Sequence, residues 1–281
     1  MNTNNEHRVS SFIRKLAVTL CIVSICGCAG GAVKKEEGIT IIGNETAQLL
    51  LSEIMAVNSN SPQAYTARLS AEGSAGKKKF NVTGEIVYNK TPRMMRVTLL
   101  DAIFRSVLTV LIQDNDALKL YFPMEKSLYL DSASSISIQD YANVALDFKI
   151  LYPLAVGQIP LIENYSIKRG LAANSPKHNG DCTSFLILEN DSYFETISFS
   201  DGIPDKILLL KKNGGIKTEL YLEKPLRQGN ALVYRKIRLI LPSSGERMQF
   251  TLSGIQFDQA VDPGKVFFLE LARGVKIINM K

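Results

Sequence analysis

Short stretches in which apolar and polar residues alternate, each closed by a compact turn signal, dominate this 281-residue chain and restrict what it can become. A first group covers residues 65–73, 79–88, 93–100, 107–113, 117–122 and 127–130, and a second covers 182–189, 192–200, 206–211, 216–223, 232–241 and 247–257. Alternation over so few residues gives a strand with one buried face, because successive side chains of extended backbone point to opposite sides. The joints carry hairpin chemistry: Gly73-Ser74-Ala75-Gly76, Asp114-Asn115-Asp116, Asn190-Asp191, Asp201-Gly202, Asn213-Gly214-Gly215 and Ser243-Ser244-Gly245. Hairpins make antiparallel neighbours, so about eleven or twelve short strands imply one long antiparallel sheet, and a sheet that long has to curl.

Two stretches depart from alternation. Leu49, Leu50, Ile54 and Val57 recur at helical spacing, which predicts a helix over about 45–58 with Asn44 or Thr46 as its cap. Residues 131–163 read as helical in parts, interrupted by Pro153. Their apolar residues, Leu146, Ile150, Leu154 and Ile159 among them, are too many for one surface stripe, so this stretch should cover a hydrophobic concavity. Residues 171–181 read as a loop. The expected fold is mainly β (α+β): a long curled antiparallel sheet forming an incomplete barrel, with an N-terminal helix and a central helical lid at about 136–163, in one domain over 44–281.

Residues 16–28, LAVTLCIVSICGC, follow Arg8, Arg14 and Lys15. The apolar run is about a dozen residues, short of the roughly 20 that a spanning helix needs, and its order of charge, apolar core and small residues is that of an export signal. Its end resembles the bacterial lipobox, with Gly27 directly before Cys28. Cys28 would then open the mature protein, bearing a diacylglycerol thioether and an acylated amine, with no other cofactor expected. Cys26 is the poorer candidate, because bulky Ile25 precedes it. The alternative is an ordinary secretory signal cleaved nearby. Residues 1–27 are thus read as a signal peptide and 28–43 as a tether. Ala29, in place of the aspartate that retains many lipoproteins in the inner membrane, favours the outer membrane of a two-membrane cell.

Removal of residues 1–27 takes Arg8, Arg14, Lys15 and Glu6, so a net charge of +6 falls by three and rises by one, to +4. The basic run Lys77-Lys78-Lys79 fits a solvated hairpin tip better than a nucleic-acid patch. Only Cys182 would remain as a free thiol, so no intramolecular disulfide is expected. His178, four residues before it, lies in a polar loop and makes a weak catalytic pair. Phosphate loops, metal-ligand spacings and nucleophile elbows are missing from the sequence, so neither an enzyme nor a metal site is expected.

The layout resembles the LolA/LolB carriers of lipoproteins. Three stretches bear the likeness: the front helix running into residues 63–73, then 84–88 with 92–97, and 261–267 leading into 274–278. The resemblance implies a cavity for acyl chains, and the lipobox places the chain nearer the anchored LolB-like branch. It also implies lipoprotein cargo, a soluble LolA-like donor, membrane contact through the anchor and a monomer. That branch has a protruding turn with an apolar tip, here Ile103 and Phe104. A tip that is apolar should be buried or enter a bilayer, unless the segment continues a strand or packs under the front helix. Candidate cavity residues are Met95, Val97 and Leu99 on one strand face, Met248, Phe250 and Leu252 on another, and Leu146, Ile150, Leu154 and Ile159 from the lid. Core packing would use all of them equally well. The expected function is delivery of acylated molecules to the outer membrane. The alternative is an anchored envelope scaffold whose barrel is filled by its own side chains, and an unrecognised hydrolase is a distant third.

Overall fold

The strands expected from alternation all form, and three more join them. The structure, a computed structural model, describes residues 39–75, 78–101, 103–132, 148–174, 182–259 and 261–279, all within the unit Gly38–Lys281. One arm holds β2 (Ala64–Ala75), β3 (Lys78–Asn89), β4 (Met94–Asp101), β5 (Val107–Asp114), β6 (Ala117–Phe122) and β7 (Ser127–Ser132). The other holds β8 (Ser166–Asn174), β9 (Cys182–Glu189), β10 (Tyr193–Ser200), β11 (Ile203–Lys211), β12 (Ile216–Gln228), β13 (Ala231–Leu241) and β14 (Glu246–Phe257). Each arm is a run of sequential antiparallel neighbours, and the arms join where β14 pairs with β2, Thr251 opposite Ser70.

Short strands close the two edges. β1 (Ile39–Ile42) pairs with β8, and β15 (Lys276–Asn279) lies parallel to β7. β1 and β15 do not meet, so the sheet of 15 strands among the described residues curls without closing. Ile39–Ile42, inside the tether expected over 28–43, is a strand instead, because its β-branched residues find a sheet edge to pair with, and residues 28–38 lie outside the described residues. Similarly, residues 171–174, expected to open a loop, extend β8, and 175–181 lie outside the described residues.

Helix α1 (Asn44–Ser59) matches the expected helix within a residue, but its cap and buried face differ. Gly43 is the cap, accepting the Ala47 N–H at 3.1 Å, and no side chain caps it. Ala47, Leu50 and Ile54 face the sheet, whereas Leu49 is 63 % exposed. Helix α2 (Phe148–Ala155) carries Pro153 without ending there. Its side chains part to either side. Ile150 and Leu154, one turn apart, pack with α1 and the second arm, while Tyr152 and Val156 pack with Tyr65, Tyr88 and Met95 of the first. That division explains why the stretch carries more apolar residues than one stripe: it is wedged between two inner walls.

The chain after α2 is pinned by Asn58. Its side-chain amide donates to the Ile159 carbonyl at 3.0 Å, and its oxygen accepts the Ile159 N–H at 2.7 Å, as a neighbouring strand would. Gly157 makes the turn at φ +73, pressed against Pro62 and the Leu232 carbonyl. On the outer face of β4–β7 lies a third cluster, in which Phe267 covers Val110, Ile112, Tyr121 and Leu128. Arg96 ties this C-terminal segment down by donating to the carbonyls of Val266 and Phe268 at 2.8 and 3.0 Å, next to α3 (Pro263–Val266).

Candidate ligand-binding site

Paired residues across the inner face of the first arm form rows. One reads Ala67, Ile86, Val97, Leu111, Leu120; the next reads Tyr65, Tyr88, Met95, Gln113, Leu118. In the second arm a row runs Leu188, Glu195, Leu209, Thr218. The inner rows are thus interrupted by buried polar side chains: Gln113, 1 % exposed, in the first arm, and Glu195, 4 % exposed, with Thr218 in the second. All three border the same cleft of about 520 Å³, within the roughly 300–1,000 Å³ of small-molecule pockets.

The cleft is bounded by the first arm at Arg93, Gln113 and Asp116, by the second at Glu195, Leu209 and Thr218, and by the segment from Lys149 to Glu163. Apolar walls come from Ile150, Pro153, Leu161, Ile207 and Leu220. Arg93 donates from Nε to the Tyr152 hydroxyl at 2.8 Å and lies over the same ring at 4.9 Å, which holds α2 to the β3–β4 turn. That hydrogen bond is the main reason its guanidinium is held above the usual arginine range. The Tyr65 hydroxyl, pushed up by complete burial, donates to the carbonyl of Ala155 at the end of α2.

Glu195 accepts the Ile162 N–H at 3.1 Å, so the covering segment is hydrogen-bonded to the floor of the second arm. Burial pushes its carboxyl up to about 7, offset in part by that backbone donor. The charged groups around it are mixed, with Lys149 paired to Glu163 at 3.0 Å and Lys217 above the Tyr193 ring. The result is a cleft with greasy walls and a few convergent polar groups, able to hold an amphipathic molecule. Among the described residues no group of three or more His, Cys, Asp or Glu side chains could hold a metal.

The residues proposed from sequence scatter across these features. Ile150 lines the cleft. Leu154, Ile159 and Met248 are buried in the cluster under α1, with Phe250 half-buried beside them. Met95 and Leu252 are buried in the cluster of the first arm, Val97 packs on it, and Leu99 is half-buried on β4. Leu146 and Cys28 lie outside the described residues, as does His178. Ile103 and Phe104 stand at the tip of the β4–β5 turn, 80 % and 84 % exposed, neither in a strand nor under α1. Asp101 builds that tip by accepting both of their N–H groups at 3.0 and 2.7 Å, with Arg105 at φ 54 completing it.

No family model matches the chain, and no curated protein matches it by sequence. Solved structures do. A DUF1329 family protein from Desulfovibrio piger superposes with a TM-score of 0.57 at 12% identity, over 82% of this chain and 98% of that one. A domain provisionally assigned to outer membrane lipoprotein sorting, from Vibrio parahaemolyticus, gives 0.57 at 12%, over 78% and 95%. A LolA superfamily protein from Nitrosomonas europaea gives 0.51 at 12%, over 78% and 97%. The chain has a LolA-type fold, a curled open sheet around a short covering helix.

Proposed function

We propose that this protein is an envelope carrier that takes the acyl chain of a lipidated molecule into the cleft beside α2 and passes it to a membrane. The observation that supports this best is the cleft itself. It lies where two arms of one open sheet face a covering segment, with apolar walls and room for a ligand. Each acyl CH₂ kept from water is worth about 0.8 kcal/mol, so release into solvent is strongly uphill and a shielded cleft removes that barrier.

The lipobox ending at Cys28 and the sorting and LolA-type proteins that share the fold agree with an exported, lipid-anchored protein at the periplasmic face of the outer membrane. In this reading the anchored protein is the receiving end of a relay, with a soluble LolA-like donor and lipoprotein cargo as partners, working as a monomer. Ile103 and Phe104 would enter the bilayer at handover. No step in this process calls for a catalytic residue.

A scaffold role draws on a different observation: Met95, Leu154, Ile159, Met248 and Leu252 are all buried in side-chain packing. Titration with a fluorescent fatty acid separates the two. A carrier takes it up saturably and yields it to a lipidated peptide; a self-filled scaffold shows no uptake.

A further inference from the structure

Gln113 lines the cleft and carries, just beneath its wall, a hydrogen-bond acceptor that no described residue serves. Its Nε2 donates to the Asn115 carbonyl at 2.9 Å, and because a carbonyl can only accept, the amide orientation is fixed. Oε1 is then left buried, with no donor among the described residues. Buried amide oxygens are rarely left so, since the lost hydration is not recovered. The neighbouring group is complementary. The Asn115 N–H donates to the Arg93 carbonyl at 2.8 Å, which ties Arg93 and Gln113 into one corner of the cleft wall. The Arg93 side chain uses Nε on Tyr152 and makes no other hydrogen bond among the described residues, so its terminal nitrogens remain donors.

One acceptor and one cationic donor at the same corner match a group that offers one N–H and one carbonyl oxygen. We propose that the Gln113–Arg93 corner recognises the amide linkage of an N-acylated molecule, so that the cleft selects amide-linked over ester-linked acyl chains. This rests on the acyl-carrier reading above. The N–H donates to Gln113 Oε1, the carbonyl accepts from Arg93, and the hydrocarbon runs along Ile150, Leu161, Ile207 and Leu220. An ester has acceptors only. It satisfies Arg93 but buries Gln113 Oε1 against another oxygen, and a site built to pair a polar group discriminates against a ligand that cannot pair it.

The test is a fluorescence titration of the full chain with the hexadecanoyl amide of a fluorescent amine and, separately, the hexadecanoyl ester of the matching alcohol. The expected result is about tenfold tighter binding of the amide. In Gln113→Met, similar in size and without the acceptor, the ratio collapses toward one. Equal affinities in the unaltered protein overturn the inference and need no variant; they mean that water serves Oε1. A preference that survives Gln113→Met overturns it as well. Both results leave the acyl-carrier reading standing, whereas binding of neither probe overturns the reading and the inference together.

Discussion

Arg93 and Tyr152 meet twice, the guanidinium stacked over the ring and its Nε bonded to the hydroxyl, so one side chain from the β3–β4 turn holds α2 by face and by tip. Tyr152→Phe keeps the ring under the guanidinium and removes the hydrogen bond from Arg93, and should cost about 1 kcal/mol in chemical denaturation. Arg93→Ala removes both contacts and should cost more. In either variant, amide exchange over 148–156 should quicken before that of the sheet, because α2 depends on this attachment.

Glu195 makes stability depend on pH in a definite direction. Its carboxyl titrates near 7 when folded and near the ordinary value, about 4.3, when unfolded. The folded state therefore holds the proton more tightly. The associated stability is complete below about pH 4.3 and is lost as pH rises through 7, on the order of 3 kcal/mol in all. Glu195→Gln keeps an acceptor for the Ile162 N–H and carries no charge. Urea titrations should find it more stable than the parent at pH 8, with most of that margin gone at pH 4; a margin independent of pH would refute the assignment.

Gly157 turns the chain out of α2 in a left-handed conformation, and an added Cβ would fall 2.8 Å from Pro62 and 2.9 Å from the Leu232 carbonyl. Gly157→Ala should lose about 1–3 kcal/mol or more of stability, read as a lowered melting temperature.

Ile103 and Phe104 touch little of the protein, so replacing both with glutamate should change stability by no more than about 0.5 kcal/mol. Transfer of a bound acyl probe to anionic or neutral vesicles should nonetheless stop, while uptake of the probe persists. Unchanged transfer would remove these two residues from the handover step.

On the lipid-anchor reading proposed above, Cys28→Ser removes the thiol that would be acylated. Fractionation of cells making this variant should move the protein from membranes to the soluble envelope fraction.

Much of the sheet was legible because hairpin strands announce themselves locally, by alternation and by turns such as Asn213-Gly214-Gly215. The edges were not. β15 is only four residues long and pairs in parallel with β7, about 150 positions earlier, a partner no local pattern names. The polar members of the cleft were missed for a different reason. Glu195 shares the inner face with Ile197 and Phe199, and Gln113 shares it with Leu111; each breaks the phase of an apolar alternation. That break was visible in the sequence, but whether such a residue is buried depends on how the two arms curl toward each other. Leu49 shows the converse, an apolar residue at helical spacing that the rotation of α1 leaves in solvent.

The pairing of β14 with β2 has a consequence for how the chain comes into being. Thr251 must find Ser70, so the seam between the two arms cannot form until almost all of the polypeptide has been made. Long sequence separations of this kind slow folding, since the loop must close before any contact rewards it. Until β14 arrives β2 has no partner on one side, so an incomplete chain carries an open strand edge in what will become the middle of its sheet, and the seam is sealed only late.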